Sequence, residues 1–139
     1  MSTNKRIVSI IEDDPSNVLF FQEALKAFSG INVFTFTDPA LALQHFQQLD
    51  YAYVLVISDF RMGGLDGFEL LKSIKEENPF VRTILITAAF RFDNKILDEY
   101  IKKKIINGFI QKPIRLHDFL KEVDTQLQLY ETQKRYPTL

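Results

Sequence analysis

Five polar side chains close or closely follow short apolar runs of the sequence, in a pattern that suggests one shared site. They are three carboxylates, one hydroxyl and one ammonium: Glu12, Asp13, Asp59, Thr87 and Lys112. Clustered carboxylates repel one another unless a cation or protons intervene. Oxygen ligands without His or Cys favour a hard cation, Mg²⁺ or Mn²⁺. Because aspartate can act as a nucleophile toward phosphorus, such a set would suit magnesium-dependent phosphoryl transfer, with Lys112 neutralising phosphate oxygens.

The apolar patterning predicts the elements that would bring these residues together. Short β-branched runs alternate with segments whose apolar residues recur every three or four positions, as in amphipathic helices. The predicted order βαβαβαβαβα requires a parallel sheet covered on both faces. Right-handed crossovers then give an α/β, doubly wound three-layer sandwich. Ligands of such sheets bind outside the carboxyl ends of the strands, where the five polar residues fall.

Turn and capping signals predict the element boundaries. Asp14 is expected to cap the first helix, in which Pro15 is the first residue. The fourth helix is predicted over Asp93–Lys104. Because helical periodicity is lost near the C-terminus, we expect a domain over residues 1–129 and a polar tail, or the start of a linker, over residues 130–139.

Composition excludes several classes of function. The 139 residues include 17 Lys+Arg and 18 Asp+Glu, so the formal net charge is −1 and gives no global case for binding nucleic acid or an anionic membrane. The chain has no cysteine, which excludes disulfides, thiol catalysis and cysteine-based zinc sites. No apolar run approaches the ~20 residues that cross a bilayer, and no signal peptide is visible. We therefore expect a cytoplasmic protein of one domain.

The segments around the polar residues resemble those of response-regulator receiver domains, the CheY-like phosphoacceptors of two-component signalling. Four motifs carry the resemblance: Ile10–Pro15, Asp59–Gly67, Thr87-Ala88 and Phe109–Pro113. The resemblance covers almost the whole chain, from Lys5 to about Gln128. One departure is Gly63, where the family usually has proline. The resemblance implies the flavodoxin-like (βα)5 fold with the parallel strand order 2-1-3-4-5.

The resemblance also implies a phosphoacceptor and a metal site. Asp59 would accept a phosphoryl group from a histidine kinase or a phosphotransfer protein. Asp13 and Asp59 would bind Mg²⁺ directly, with Mn²⁺ a possible substitute, and Glu12 would act mainly through water. The backbone carbonyl of Arg61 would be the third protein ligand. The contiguous acids Glu12, Asp13 and Asp14 offer two possible pairs. The resemblance places the pair directly after the strand, which favours Glu12 and Asp13 and leaves Asp14 as the helix cap.

By the same resemblance, Thr87 and Phe109 match the switch pair of the family and Lys112 matches its phosphate-contacting lysine. Phosphorylation would then change the surface formed by the fourth helix, fifth strand and fifth helix. We expect a stand-alone receiver with a downstream protein target and no catalysis beyond its own phosphorylation and dephosphorylation. The chain would be a monomer or a phosphorylation-linked homodimer, without nucleic acid or membrane partners.

Other classes of function remain open at this stage. A degenerate, phosphorylation-independent interaction module is one, although the complete set of five polar residues argues against it. A magnesium-dependent aspartyl-phosphate phosphatase is another. Phosphatases of the haloacid-dehalogenase type have Asp-x-Asp after the first strand, whereas the acids here are contiguous. A flavin-binding relative is disfavoured because acids occupy the first strand–helix turn, where a phosphate would need bare amides and hydroxyls.

Overall fold

Strands and helices alternate along the chain in the computed structural model, which describes residues 6–60, 66–88 and 94–135. The five strands are β1 (Ile7–Ile11), β2 (Asn32–Phe36), β3 (Tyr53–Asp59), β4 (Arg82–Ala88) and β5 (Gly108–Lys112). The helices are α1 (Pro15–Leu25), α2 (Pro39–Leu49), α3 (Gly67–Glu77), α4 (Asn94–Lys102) and α5 (Leu116–Arg135). None of these helices is both long and apolar enough to cross a bilayer.

The strands form one parallel sheet in the order β2-β1-β3-β4-β5, which confirms the predicted fold. Asp59 at the end of β3 pairs with Ile86 of β4, and Ala88 at the end of β4 pairs with Lys112 of β5. Because all strands run in one direction, their carboxyl ends lie along the same edge of the sheet. Lys112 is the last residue of β5 itself.

Apolar side chains cover both faces of the sheet, as the alternation of side chains along a strand requires. Ile7 and Ile11 of β1 belong to the core beneath α2, α3 and α4. Val8 and Ile10 belong to the core beneath α1 and α5, where the rings of Phe21 and Phe119 are buried and stacked. All residues of β1 and β3 are buried, so both strands are anchored from two sides.

The predicted cap of α1 is confirmed. The Asp14 carboxylate accepts a hydrogen bond from the Ser16 N–H at 2.9 Å, and Pro15 begins the helix. This bond satisfies one of the amide groups that have no partner inside the first turn. The Asp14 side chain therefore serves as the helix cap. Glu12 and Asp13 are the acids that directly follow β1.

Two helix ends differ from the prediction. Helix α4 ends at Lys102 rather than Lys104, because Lys104 adopts a left-handed backbone conformation with φ 61°. Helix α5 continues to Arg135, beyond the point near residue 130 where the apolar periodicity is lost. Residues 136–139 lie outside the described part of the chain.

Polar contacts, rather than apolar periodicity, hold the last turns of α5. Glu131 forms an ion pair with Arg6 at the start of β1. Gln133 donates a hydrogen bond to the Phe80 carbonyl at 2.9 Å and accepts one from Arg82 at 2.6 Å. A search for repeating apolar residues does not detect such contacts, which explains why the helix extends beyond the predicted boundary.

Candidate functional site

Three carboxylates meet at the carboxyl edge of the sheet. Glu12 and Asp13 follow β1, and Asp59 is the last residue of the adjacent strand β3. Each offers one oxygen atom, and these atoms lie within 4.8 Å of one another. Glu12 and Asp59 are buried, whereas Asp13 is exposed. The cluster is therefore held by the sheet and open to solvent on one side.

Lys112 approaches the acids from β5, on the other side of β4. Its Nζ lies 3.2 Å from Asp59 Oδ2 and 3.9 Å from Glu12 Oε1. The lysine side chain is partly exposed, while both carboxylates that it faces are buried. One ammonium thus faces two buried acids, and together with Asp13 the cluster holds an excess of negative charge.

Burial gives Glu12 an unusual environment for a carboxylate. Its Oε2 accepts a hydrogen bond from the Asp14 N–H at 3.1 Å, but its buried Oε1 has no hydrogen-bond partner. The pKa of Glu12 is raised to about 7. Burial is the largest cause and the Asp59 charge adds to it, while the Asp14 N–H and the Lys112 charge partly oppose the rise. A buried carboxylate oxygen without a donor is costly, so a proton or a cation at this oxygen would stabilise the cluster.

The donor set fits a hard divalent cation. Carboxylate oxygens are the ligands that Mg²⁺ and Mn²⁺ prefer, and Mg²⁺ uses only one or two of them while keeping several waters. The exposed Asp13 leaves room for those waters. Glu12 Oε1, which has no hydrogen-bond donor, can accept a hydrogen bond from a water of such a cation. The residues of the cluster therefore fit Mg²⁺ or Mn²⁺. Arg61, whose carbonyl is the remaining expected ligand, lies outside the described residues.

The raised pKa of Glu12 predicts a pH-dependent stability of the metal-free protein. Because folded Glu12 binds its proton more tightly than the unfolded chain does, the unfolding free energy should fall as pH rises from about 4.5 to about 7. At about 1.4 kcal/mol per pKa unit, the loss attributable to Glu12 is at most about 3 kcal/mol. Urea unfolding in EDTA across this range measures it.

Two comparisons isolate the contribution of Glu12. The variant Glu12→Gln removes the titrating group and should flatten the pH dependence in EDTA. Saturating Mg²⁺ should restore stability to the wild type most strongly above pH 7, where the deprotonated form dominates. Equal pH profiles for wild type and variant would contradict the electrostatic account of this residue.

The predicted switch residues lie on adjacent strands beside the acid cluster. Thr87 is buried near the end of β4, where it pairs in register with Gln111 of β5. Its hydroxyl has a long contact, 3.4 Å, to the carbonyl of the next residue. Phe109 of β5, two positions before Gln111, pairs in register with Leu85 of β4, and its side chain is 41% exposed. The structure thus has a buried hydroxyl and an outward aromatic ring on neighbouring strands.

Gly67 contributes to the site in a way that the sequence analysis missed. A Cβ on this residue would lie 2.5 Å from the carbonyl oxygen of Asp59 and 2.9 Å from Leu85 Cδ1. The start of α3 therefore packs directly against the backbone of the candidate nucleophile. Its N–H also donates to the Phe60 carbonyl at 3.0 Å. In the sequence, Gly67 looks like an ordinary loop glycine, because the close approach is made by a residue eight positions away.

Comparisons with known proteins agree with this fold. The receiver domain protein of Clostridium thermocellum has a TM-score of 0.80 at 22% identity, with 91% of this chain and 98% of that chain covered. A CheY-like receiver domain protein of Methanospirillum hungatei JF-1 has a TM-score of 0.79 at 19% identity, with 93% and 98% covered. Identities this low establish the fold alone.

Sequence comparison identifies the protein family. The DNA-binding transcriptional regulator NtrC of Escherichia coli K12 is 28% identical over 129 residues, which is 93% of this chain. The chain spans only 26% of the length of that relative. The family model described as the response regulator receiver domain matches residues 8–124. The chain therefore belongs to the response regulator receiver domain family.

Proposed function

We propose that this receiver domain is a phosphoacceptor switch, phosphorylated on Asp59 by a histidine kinase or a phosphotransfer protein. The observation that carries the proposal is the convergence of Glu12, Asp13 and Asp59 within 4.8 Å, with the Lys112 ammonium 3.2 Å from Asp59. A cytoplasmic location follows from this role. The domain catalyses only its own phosphorylation and dephosphorylation.

In the proposed reaction, an Asp59 carboxylate oxygen attacks the phosphorus of a phosphohistidine. A new P–O bond forms, the P–N bond breaks, and the histidine nitrogen leaves with the bonding electron pair. Lys112 neutralises one phosphoryl oxygen. When bound by Asp13, Asp59 and the Arg61 carbonyl, with Glu12 acting mainly through water, Mg²⁺ supplies further positive charge against the phosphoryl oxygens.

The response to phosphorylation would begin at Thr87. The phosphoryl group adds negative charge and acceptor oxygens, to which the Thr87 hydroxyl can donate once it turns from its long contact with Ala88. That movement would leave space for the Phe109 ring, which is half-exposed before phosphorylation. The proposed result is a shift of the surface formed by α4, β5 and α5 between two populations.

A protein partner is the proposed reader of that surface. Large apolar side chains are exposed on all three of its elements: Ile96, Ile101, Phe109 and Leu116. The relative NtrC is described as DNA-binding. We do not propose DNA binding for this chain, because its net charge of −1 gives no support for direct contact with DNA. Any homodimer formed through this surface would depend on phosphorylation.

Intact mass spectrometry tests the proposal. The protein is incubated with acetyl phosphate or phosphoramidate, with Mg²⁺ or with EDTA, and we expect one phosphoryl adduct that requires Mg²⁺. The variant Asp59→Asn keeps the side-chain size and should form none. An adduct that survives in Asp59→Asn would contradict the assignment. Sustained turnover of p-nitrophenyl phosphate would instead support a phosphatase.

A further inference from the structure

Strand β2 forms one edge of the sheet and has an unpaired side. The Asn32 N–H donates to Arg6 and the Phe36 carbonyl accepts from Glu12, both toward β1. Since the backbone groups of successive residues in a strand point to opposite sides, Val33 and Thr35 direct their N–H and C=O groups away from β1. No other strand of the described sheet lies on that side.

This edge lacks the features that usually prevent strand association. From Ser29 to Leu49 the only Asp, Glu, Lys or Arg is Asp38, in a chain that is 25% charged. Natural edge strands are commonly protected by lysine, proline or a bulge. Strand β2 (Asn-Val-Phe-Thr-Phe) has no charged residue and no proline.

Apolar surface adjoins the unpaired backbone. Phe34, at the centre of β2, is 40% exposed, and its ring lies 4.5 Å from that of His45 on α2. Leu41, one helical turn before His45, is 54% exposed. Depletion of charge around exposed aromatic and aliphatic residues is typical of the core of a protein interface. The edge and the adjoining face of α2 thus form one uncharged, partly apolar surface.

We propose that β2 pairs antiparallel with β2 of a second copy of this chain, which makes the sheet continuous through a symmetric dimer. A second copy is the occupant that complements this edge, because it offers the same unpaired backbone groups and brings no like charge within the strand. With the two-fold axis at Phe34, Val33 of each copy lies opposite Thr35 of the other and exchanges two backbone hydrogen bonds.

The same register places the two Phe34 side chains directly opposite each other on the α2 face. Residues whose backbone groups point away from the partner strand form the closer type of antiparallel pair, and aromatic pairs at such positions are stabilising. Strand β2 is at the far end of the sheet from β5. The proposed dimer is therefore independent of phosphorylation and does not rest on the proposed role of Asp59.

Sedimentation of the full chain at concentrations from low to high micromolar tests the dimer. We expect reversible dimerisation in wild type, the same with and without beryllofluoride. Thr35→Pro removes an N–H that makes no bond within the monomer, and edge strands tolerate proline at such positions. It deletes two of the four intermolecular hydrogen bonds and should weaken association at least about tenfold.

A second variant and a control keep the test decisive if Thr35→Pro folds poorly. Phe34→Lys introduces two facing charges and should also yield monomers, with a melting curve close to that of wild type. Tyr51→Lys changes a residue that is 74% exposed but lies outside β2, and it should dimerise normally. A monomeric wild type, a dimer unaffected by Phe34→Lys, or one that forms only with beryllofluoride would overturn the proposal.

Discussion

Replacing Lys112 with methionine will slow phosphorylation of Asp59 by about 10²–10³-fold, the usual cost of removing one preorganised donor to a developing negative charge. The lysine Nζ is 3.2 Å from Asp59 and 3.9 Å from Glu12, so it is placed to neutralise a phosphoryl oxygen at the nucleophile. Methionine retains much of the length and apolar character of the lysine stem but has no charge. The effect should therefore fall on the reaction rather than on the sheet.

The rate of adduct formation with acetyl phosphate at saturating Mg²⁺ measures this effect. Lys121→Met removes one positive charge elsewhere, on the exposed face of α5, and should react at nearly the wild-type rate. Lys112→Arg preserves the charge and should recover part of the activity. A rate for Lys112→Met close to that of Lys121→Met would show that the Lys112–Asp59 contact has no role in the chemistry.

Gly67→Ala is expected to cost about 1–3 kcal/mol of unfolding free energy, the usual range for overpacking a close-packed site. The added methyl group would lie 2.5 Å from the Asp59 carbonyl oxygen, which is backbone and cannot rotate away. The start of α3 must therefore move away from the end of β3, or Asp59 must shift. We expect slower phosphorylation of the variant as well as lower stability.

Urea unfolding of Gly67→Ala and Gly30→Asn separates this contact from a general effect of losing glycine. Gly30 has φ 77° and nothing within 4 Å of the Cβ position, and asparagine tolerates that conformation better than most residues. The Gly30 variant should lose only a few tenths of a kcal/mol. Equal losses at the two positions would show that the approach of Gly67 to Asp59 is not what constrains it.

The alternation of strands and helices and the meeting of the acids were predictable because they depend on local signals, whereas the strand order 2-1-3-4-5 was implied by the family resemblance. Apolar runs specify the buried strands β1 and β3, and Asp14 before Pro15 specifies the start of α1. Once parallel strands are assumed, Glu12 and Asp59 must reach the same edge of the sheet. The physical constraint here is the fold itself, which leaves little freedom for residues at strand ends.

Features that depend on contacts between distant segments were not predictable. Nothing in the sequence marks Lys104 for a left-handed conformation, since glycine more commonly ends a helix in this way. The last turns of α5 depend on partners as remote as Arg6 and Arg82. The burial of a Glu12 oxygen that has no hydrogen-bond donor likewise could not be predicted, because neighbouring acids in the sequence do not reveal which one is buried.

Chemical trapping of the aspartyl phosphate identifies the phosphorylated residue. Borohydride reduces an aspartyl phosphate to homoserine, which marks the modified position for peptide mass spectrometry. After phosphorylation with phosphoramidate and Mg²⁺, we predict homoserine at Asp59 and at no other aspartate. Homoserine at Asp13, Asp14 or Asp66, or none at any position, would contradict the proposed phosphoacceptor site.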